Sequence, residues 1–387
     1  MPVLGLTAAA EALKLFYLPG LRYQLNDAAS VLLAQLEKTT ENVVGSEIVL
    51  AMRYGRVGGI GNRSDTGTLP TPNSRKTKKA QWETKNIFAR FQISDKTIKA
   101  SKSSSGAFNS LLEKEISDCE RDAKLDLSRQ VLGSGTGALC TVSSVSGLNL
   151  TVNTTMYLAE GMLVDIYTNN TKDTSEAEIT AVNHSTNTIQ VTSATGAAQN
   201  DVIYLAGNKG LELTGLESVF TSTTLYGLNV ATYPWLSPYR RNLAGEIEEV
   251  TIQAAIDEAD TRAGAVTNFL LCSKGVRRAY QDLLTAQKQT VNSLDLKGGF
   301  KALSYTGGDK EIPLVADKYV KPGKMYGLDL NDWAMYRMAD WEWMDSDGAM
   351  LSRVANTPAY EATLLSYCDI GCQRPKGQFE IYGITEH

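Results

Sequence analysis

SSGAFNSLLEKEISDCERDAKLDLSRQVLGSGTGAL, residues 104–139, carries the longest helical pattern in the chain. Phe108, Leu112, Ile116, Cys119, Ala123, Leu127 and Val131 recur at steps of three or four, which draws one apolar stripe along a helix of roughly 26 residues and about 39 Å. Glu113, Lys114, Asp118, Glu120, Arg121 and Lys124 fall on the opposite face. Ser104 or Ser105 supplies the N-cap and Gly133 the stop. An amphipathic helix of this length lies across the surface of a core. The GSGTG run at 133–137 resembles a phosphate loop in composition, but nucleotide loops need a strand before them and a helix after. Here the run follows a helix, and no Gly-Lys-Ser/Thr follows it, so it reads as a helix stop and hinge.

Upstream lies MRYGRVGGIGNRSDTGTLPTPNSRKTKKAQW, residues 52–82, nearly devoid of apolar side chains. It holds seven basic residues, Arg53, Arg56, Arg63, Arg75, Lys76, Lys78 and Lys79, against the single acid Asp65. The chain carries −5 overall, so with 7 − 1 = +6 in this stretch the remainder carries −5 − 6 = −11. A basic arm on an acidic body suits self-association better than a general nucleic-acid surface. Aromatic residues interleaved with the charges, which single-strand binding needs, are limited to Tyr54 and Trp82. The flanks EIVLAMRYG (47–55) and ETKNIFARFQISDKTIKA (83–100), the latter alternating at Ile87, Ala89, Phe91 and Ile93, are expected to pair as stems of one long hairpin. A structureless loop of this length reaches outside its domain. Before it, TAAAEALKLF (7–16, capped by Thr7) and NDAASVLLAQLEK (26–38, capped by Asn26 or Asp27) read as two short helices separated by Pro19-Gly20, forming an N-terminal arm over 1–45.

Downstream the composition changes. Residues 137–208 are rich in Thr, Val, Asn, Ser and Gly, and the short runs LNLTVN, MLVDIYT, AEITAVN, TIQVTSA and DVIYLAG are separated by turn residues. This predicts an inserted small antiparallel β-domain, a barrel or sandwich. Beyond 209, IEEVTIQAAIDEADTR and KGVRRAYQDLLTAQK read as helices around a buried strand at TNFLLCS. Strands are expected at GFKALSYT, EIPLVAD, KMYGLDL and QFEIYGI, and DWEWMDSDGAM reads as a loop or strand edge. The class is α+β.

The residues offer little chemistry. The two histidines, His184 in a turn and His387 at the last position, fit no hydrolytic triad, and no catalytic or cofactor-binding residue is assigned. Asp340, Glu342, Asp345 and Asp347 cluster without EF-hand spacing and read as a solvated acidic loop rather than a metal site. Cys119, Cys140, Cys272, Cys368 and Cys372 are odd in number and read as buried thiols. No secretory signal pattern opens the sequence and no apolar run reaches about 18 residues, so no membrane association is expected. Tyr157, Tyr167 and Tyr204 leave open a β-rich carbohydrate-binding protein, although tyrosines in strands more often serve packing.

The order of these parts resembles the major capsid protein of tailed double-stranded DNA bacteriophages, whose fold is shared with encapsulins. The phrases that carry the resemblance are ERDAKLDLSRQVLGSGTGAL (120–139), KGLELTGLESVF (209–220) and TTLYGLNVATYPWL (223–236). The resemblance implies an N-terminal arm at 1–45, an extended loop at 46–92, a peripheral domain at 93–136 with spine helix 106–132, and the inserted β-domain at 137–208. It further implies peripheral residues 209–245, an axial domain at 246–335 and peripheral or axial C-terminal strands at 336–387. The seven basic residues would then meet carboxylates of a neighbouring subunit. The implied function is a non-enzymatic shell protein that self-assembles into hexamers and pentamers around packaged double-stranded DNA, without sequence-specific contact to it. Its location would be the virion, with assembly in the host cytoplasm. A portal, a separate scaffolding protein (no charged coiled coil precedes residue 1) and, as an option, a decoration protein are the implied partners. An encapsulin-type compartment is the alternative. Some members of the family cross-link a loop Lys to an Asn; Lys76, Lys78 or Lys79 and Asn356 are the positions this sequence offers.

Overall fold

The computed structural model describes residues 17–26, 29–96, 105–286, 293–296, 301–307, 310–345 and 350–387. The helix expected over 7–16, the caps Asp27 and Ser104, and Asp347 lie outside them. Of Phe108 and Leu112 only the backbone is described.

The long helix spans Ser105–Leu132. Ile116, Leu127 and Val131 of its stripe are buried, with Cys119 and Ala123 partly so. The stripe covers a five-stranded sheet. At the centre of that sheet, Trp333–Trp343 and Ala359–Cys372 pair antiparallel. Glu37–Thr39 adds to the first in parallel. Lys85–Ser94 and Ser352–Arg353 add to the second.

A seven-stranded sheet forms a second layer system. Its order is Tyr239–Gly245, Phe379–Ile384, Lys324–Leu328, Phe269–Cys272, Lys310–Ala316, Lys301–Gly307 and Ser293–Asp295. Helices Glu249–Ala263 and Lys274–Ala286 flank its Phe269–Cys272 strand in sequence, giving the expected helix–strand–helix order. Ile252, Ala255 and Ala259 of the first and Val276, Ala279 and Tyr280 of the second pack on Leu270, Leu314, Phe379 and Ile381.

Between the long helix and Leu216–Thr221 the chain makes a closed antiparallel barrel. Around it run Thr188–Val191, Asn149–Val152, Ala138–Ser146, Val202–Leu205, Leu163–Thr168 and Thr171–Asn183. Alternation along these strands sends Leu139, Leu150, Val164, Ile166, Ile179, Ile189 and Ile203 into a core separate from those of the two sheets. Closure removes the open edges that a small sheet would otherwise expose. The barrel's two ends meet at a neck, where the Gly210 N–H donates to the Thr136 carbonyl at 2.9 Å.

Four expectations are corrected. The hairpin partner of Glu47–Arg53 is Thr77–Glu83, not the 83–100 stretch, whose strand Lys85–Ser94 pairs with Ala359–Cys372 instead. Pro19-Gly20 is not a linker: both residues lie inside the helix Leu18–Asn26. The 26–38 pattern splits into a short helix Val31–Gln35, which buries Val31, Leu32, Leu33 and Ala34, and a strand Glu37–Thr39, whose backbone pairs with Ala334, Met335 and Tyr336. Finally, the tryptophan-rich 340–350 stretch begins inside the strand Trp333–Trp343, with Trp341 and Trp343 buried and Glu342 facing out.

Candidate functional site

The hairpin Glu47–Arg53/Thr77–Glu83 shortens the irregular part of the basic excursion to 54–76. Its base is tightly seated. Ile48, Leu50, Met52 and Ala80 are buried. The Trp82 ring lies 4.1 Å from Tyr226 and edge-on to Tyr336 at 6.1 Å, centroid to centroid. Gly371 makes room for this cluster: a Cβ there would come within 2.8 Å of both Trp82 and Tyr336. The Gln81 N–H donates to the Tyr226 carbonyl at 3.1 Å, and the Tyr226 hydroxyl accepts from the Cys372 N–H at 2.8 Å. Higher up, Tyr54 stacks on Trp235 at 5.4 Å, and the Lys78 ammonium stands 5.2 Å from the Tyr233 ring. The segment 223–236, one of the three phrases singled out in the sequence, is thus the cradle of the hairpin.

The tip is different. Arg53, Arg56, Arg63, Arg75, Lys76 and Lys79 are exposed and Lys78 partly so. None of the seven has a carboxylate partner among the described residues. Arg63 turns back onto the carbonyls of Thr68 and Asn62 at 3.0 and 2.9 Å, and Arg53 onto that of Gly55 at 3.3 Å. Ile60 and Leu69 are 78% and 81% exposed, so the tip also presents apolar area to solvent.

At the barrel neck the guanidinium of Arg129, near the end of the long helix, grips Glu212 at 2.8 and 2.5 Å and Asp126 at 2.6 Å. Arg129 and Glu212 side chains are 8% and 3% exposed, which makes this a buried pair. Burial by itself would lower the Arg129 pKa; Glu212 and Asp126 more than reverse that and hold it charged. A second network ties Leu216–Thr221 to the seven-stranded sheet: Lys321 and Lys324 meet Glu217 at 2.8 and 3.0 Å, and Lys324 and Arg240 meet Glu380 at 2.8 and 2.6 Å. Burial pushes the Glu217 carboxyl up, and the two lysines bring it below its ordinary range.

The remaining sequence candidates are scattered. His184 Nδ1 lies 3.0 Å from Thr155 Oγ1 in an exposed barrel turn, and His387 Nε2 lies 2.8 Å from Glu246. Asp340 pairs with Arg337 at 2.8 Å. Among the described residues no cluster of His, Cys, Asp and Glu is arranged to hold a metal ion. Tyr157 donates to the Tyr319 carbonyl at 3.2 Å and stacks on its ring, seating the barrel on the body. Tyr167 and Tyr204 pack edge to face at 5.2 Å, with the Lys209 ammonium 3.9 Å from the Tyr167 ring. All five cysteines are free thiols. No described helix is long and apolar enough to cross a membrane.

No family model matches the chain, and no curated protein matches it in sequence. Among solved structures, the capsid asymmetric unit of cyanophage A-1(L) matches it with a TM-score of 0.54 at 16% identity, over 95% of this chain and 93% of that one. The chain has the tailed-phage major capsid fold. The capsid of a native GTA particle matches with a TM-score of 0.48 at 9% identity, over 92% of this chain and 91% of that one. A holo-SrpI encapsulin complex from Synechococcus elongatus PCC 7942 matches with 0.46 at 9%, over 91% and 87%. The Trp82–Tyr226 seat and the Arg129–Glu212 neck were not anticipated from sequence. Both join residues far apart in the chain, the second pair by 83 positions.

Proposed function

We propose that the chain is a shell subunit, and more narrowly the major capsid protein of a tailed double-stranded DNA phage, assembling through itself into hexamers and pentamers. The observation that carries this is the likeness to a capsid subunit over nearly the full length of both chains, at a TM-score above one half. In this reading residues 46–92 are the extended loop. Its firm seat and unpartnered basic and apolar tip suit an arm that lies on the next subunit, where Arg53, Arg56, Arg63, Arg75, Lys76, Lys78 and Lys79 face the carboxylates of a body carrying −11. The long helix and five-stranded sheet form the peripheral domain, and residues 246–335 with their flanking strands the axial domain. Many modest contacts, each repeated by symmetry, make a closed shell strong. An acidic body leaves packaged DNA free of tight phosphate contacts, so no sequence-specific DNA binding is expected. A separate scaffolding protein, a portal and an optional decoration protein are the further partners, and the virion is the location. The chain does no chemistry of its own in this role.

Light scattering of the purified chain tests this. Scattering should rise with concentration above a threshold and fall as salt screens the loop contacts. A chain that scatters as a monomer across the whole range, with co-expressed neighbouring gene products as well as without them, would speak against it.

A further inference from the structure

Asp369 lies within the strand Ala359–Cys372, opposite Tyr336, and is 0% exposed. Its Oδ1 accepts from the Thr214 N–H at 2.7 Å and from the Ile370 N–H at 2.8 Å. Its Oδ2 is buried with no hydrogen-bond partner among the described residues. Thr214 belongs to the short segment by which the chain returns from the barrel to the body. That segment is wedged against the end of the long helix: the Leu213 N–H donates to Gln130 Oε1 at 3.4 Å, and a Cβ on Gly215 would stand 2.4 Å from the Gln130 carbonyl oxygen. A carboxyl is therefore sealed beneath the barrel's return segment.

The groups packed around it cannot settle a full charge. The Thr214 hydroxyl, the Ile370 and Thr214 N–H groups and, least of all, Lys85 from the adjacent strand favour the ionised form, but burial outweighs them together. Tyr226 from the hairpin cradle, Tyr336 across the ladder and Cys368 on the same strand all have their pKa values raised, first of all by burial, and stay neutral. Arg129 at the helix end is committed to Asp126 and Glu212. A buried carboxylate with one oxygen unpartnered is costly, whereas the neutral acid is tolerated. Ionisation can be relieved by admitting water, and the cover to be lifted is residues 213–215.

We propose that Asp369 is a proton-controlled joint between barrel and body: protonated, it stays sealed under 213–215, and ionised, it favours opening of that segment to water. Burial pushes its carboxyl from 3.8 up to about 6, which sets the range over which the joint responds. The inference concerns the single chain and does not depend on the shell it builds.

Hydrogen exchange of the full chain, followed on peptides covering 209–220 and corrected for intrinsic pH dependence, tests the joint. The opening constant should rise about a hundredfold from pH 4 to pH 7 and then level off, because a carboxyl raised by about two units loses that factor on ionising. In Asp369→Asn it should be flat. In Lys85→Gln, which also removes the 3.5 Å contact of the Lys85 ammonium with the Gly210 carbonyl and so shifts the level of the profile, the pH at which it levels should move up. A flat wild-type profile, an equal rise in barrel peptides far from the neck, or a levelling pH in Lys85→Gln that stays put or falls would each overturn it. The last applies even if Asp369→Asn fails to fold.

Discussion

Replacing Arg129 with methionine removes the centre of the barrel neck. Glu212, 3% exposed, would keep one weak donor, the Asn208 amide at 3.4 Å, and lose both guanidinium contacts. Breaking a buried ion pair from one side costs about 3–5 kcal/mol, because it strands a charge in a poorly solvated place. Asp126 is about one-third exposed and adds little, since water replaces its partner. Arg129→Met should therefore lower stability by about 3–5 kcal/mol. Arg129→Met with Glu212→Leu should recover most of it, for the stranded carboxylate is then gone and apolar atoms fill the neck. The assay is urea unfolding of unassembled subunits at pH 7, taking the first transition only, since separate cores need not unfold together. The coupling term of the double-mutant cycle should exceed about 2 kcal/mol. A loss under about 1 kcal/mol, or single effects that simply add, would show that the neck is not held by this pair.

Other outcomes are expected elsewhere in the molecule. Arg56, Arg63 and Lys76 changed together to Gln should leave stability within about 0.5 kcal/mol, because they are exposed and have no carboxylate partner among the described residues, yet should slow assembly and flatten its salt dependence; unchanged assembly kinetics would contradict the loop assignment. Trp82→Ala should cost roughly 3 kcal/mol and open 54–76 to limited proteolysis, since the ring is the main weight in the hairpin's seat. Cys140, Cys272 and Cys368 are pushed up to about 12 by burial first of all, and Cys119 to about 11 by burial and then by Asp122, Glu115 and Glu120. At pH 8 only about one Cys119 in a thousand is thiolate, so the folded chain should react slowly with thiol reagents, with half-buried Cys119 first.

The elements whose burial is periodic were legible in the sequence. The stripe from Ile116 to Val131 announced the long helix, and alternation in LNLTVN or AEITAVN announced the barrel strands, because each segment faces one core on one side. The lysines of Thr77–Glu83 disguise a strand, although Ala80 is buried and the Lys78 ammonium stands over the Tyr233 ring. The acids of 340–347 hid the alternation of buried Trp341, outward Glu342 and buried Trp343 in the same way. Pairing could not be read at all: Lys85–Ser94 alternates equally well for a partner at 47–53 or at 359–372, and only the three-dimensional layering chooses. For the same reason the basic tip was visible as a charge run, while its aromatic seat and the Arg129–Glu212 neck, formed by residues distant in the chain, were not.

Shell formation is most directly tested by negative-stain electron microscopy of the purified chain, at high and low concentration and in the presence of co-expressed neighbouring gene products. Closed particles of uniform diameter, or rings of five and six subunits, are the expected result. A chain that remains monomeric under all of these conditions would contradict a shell role, whatever its fold.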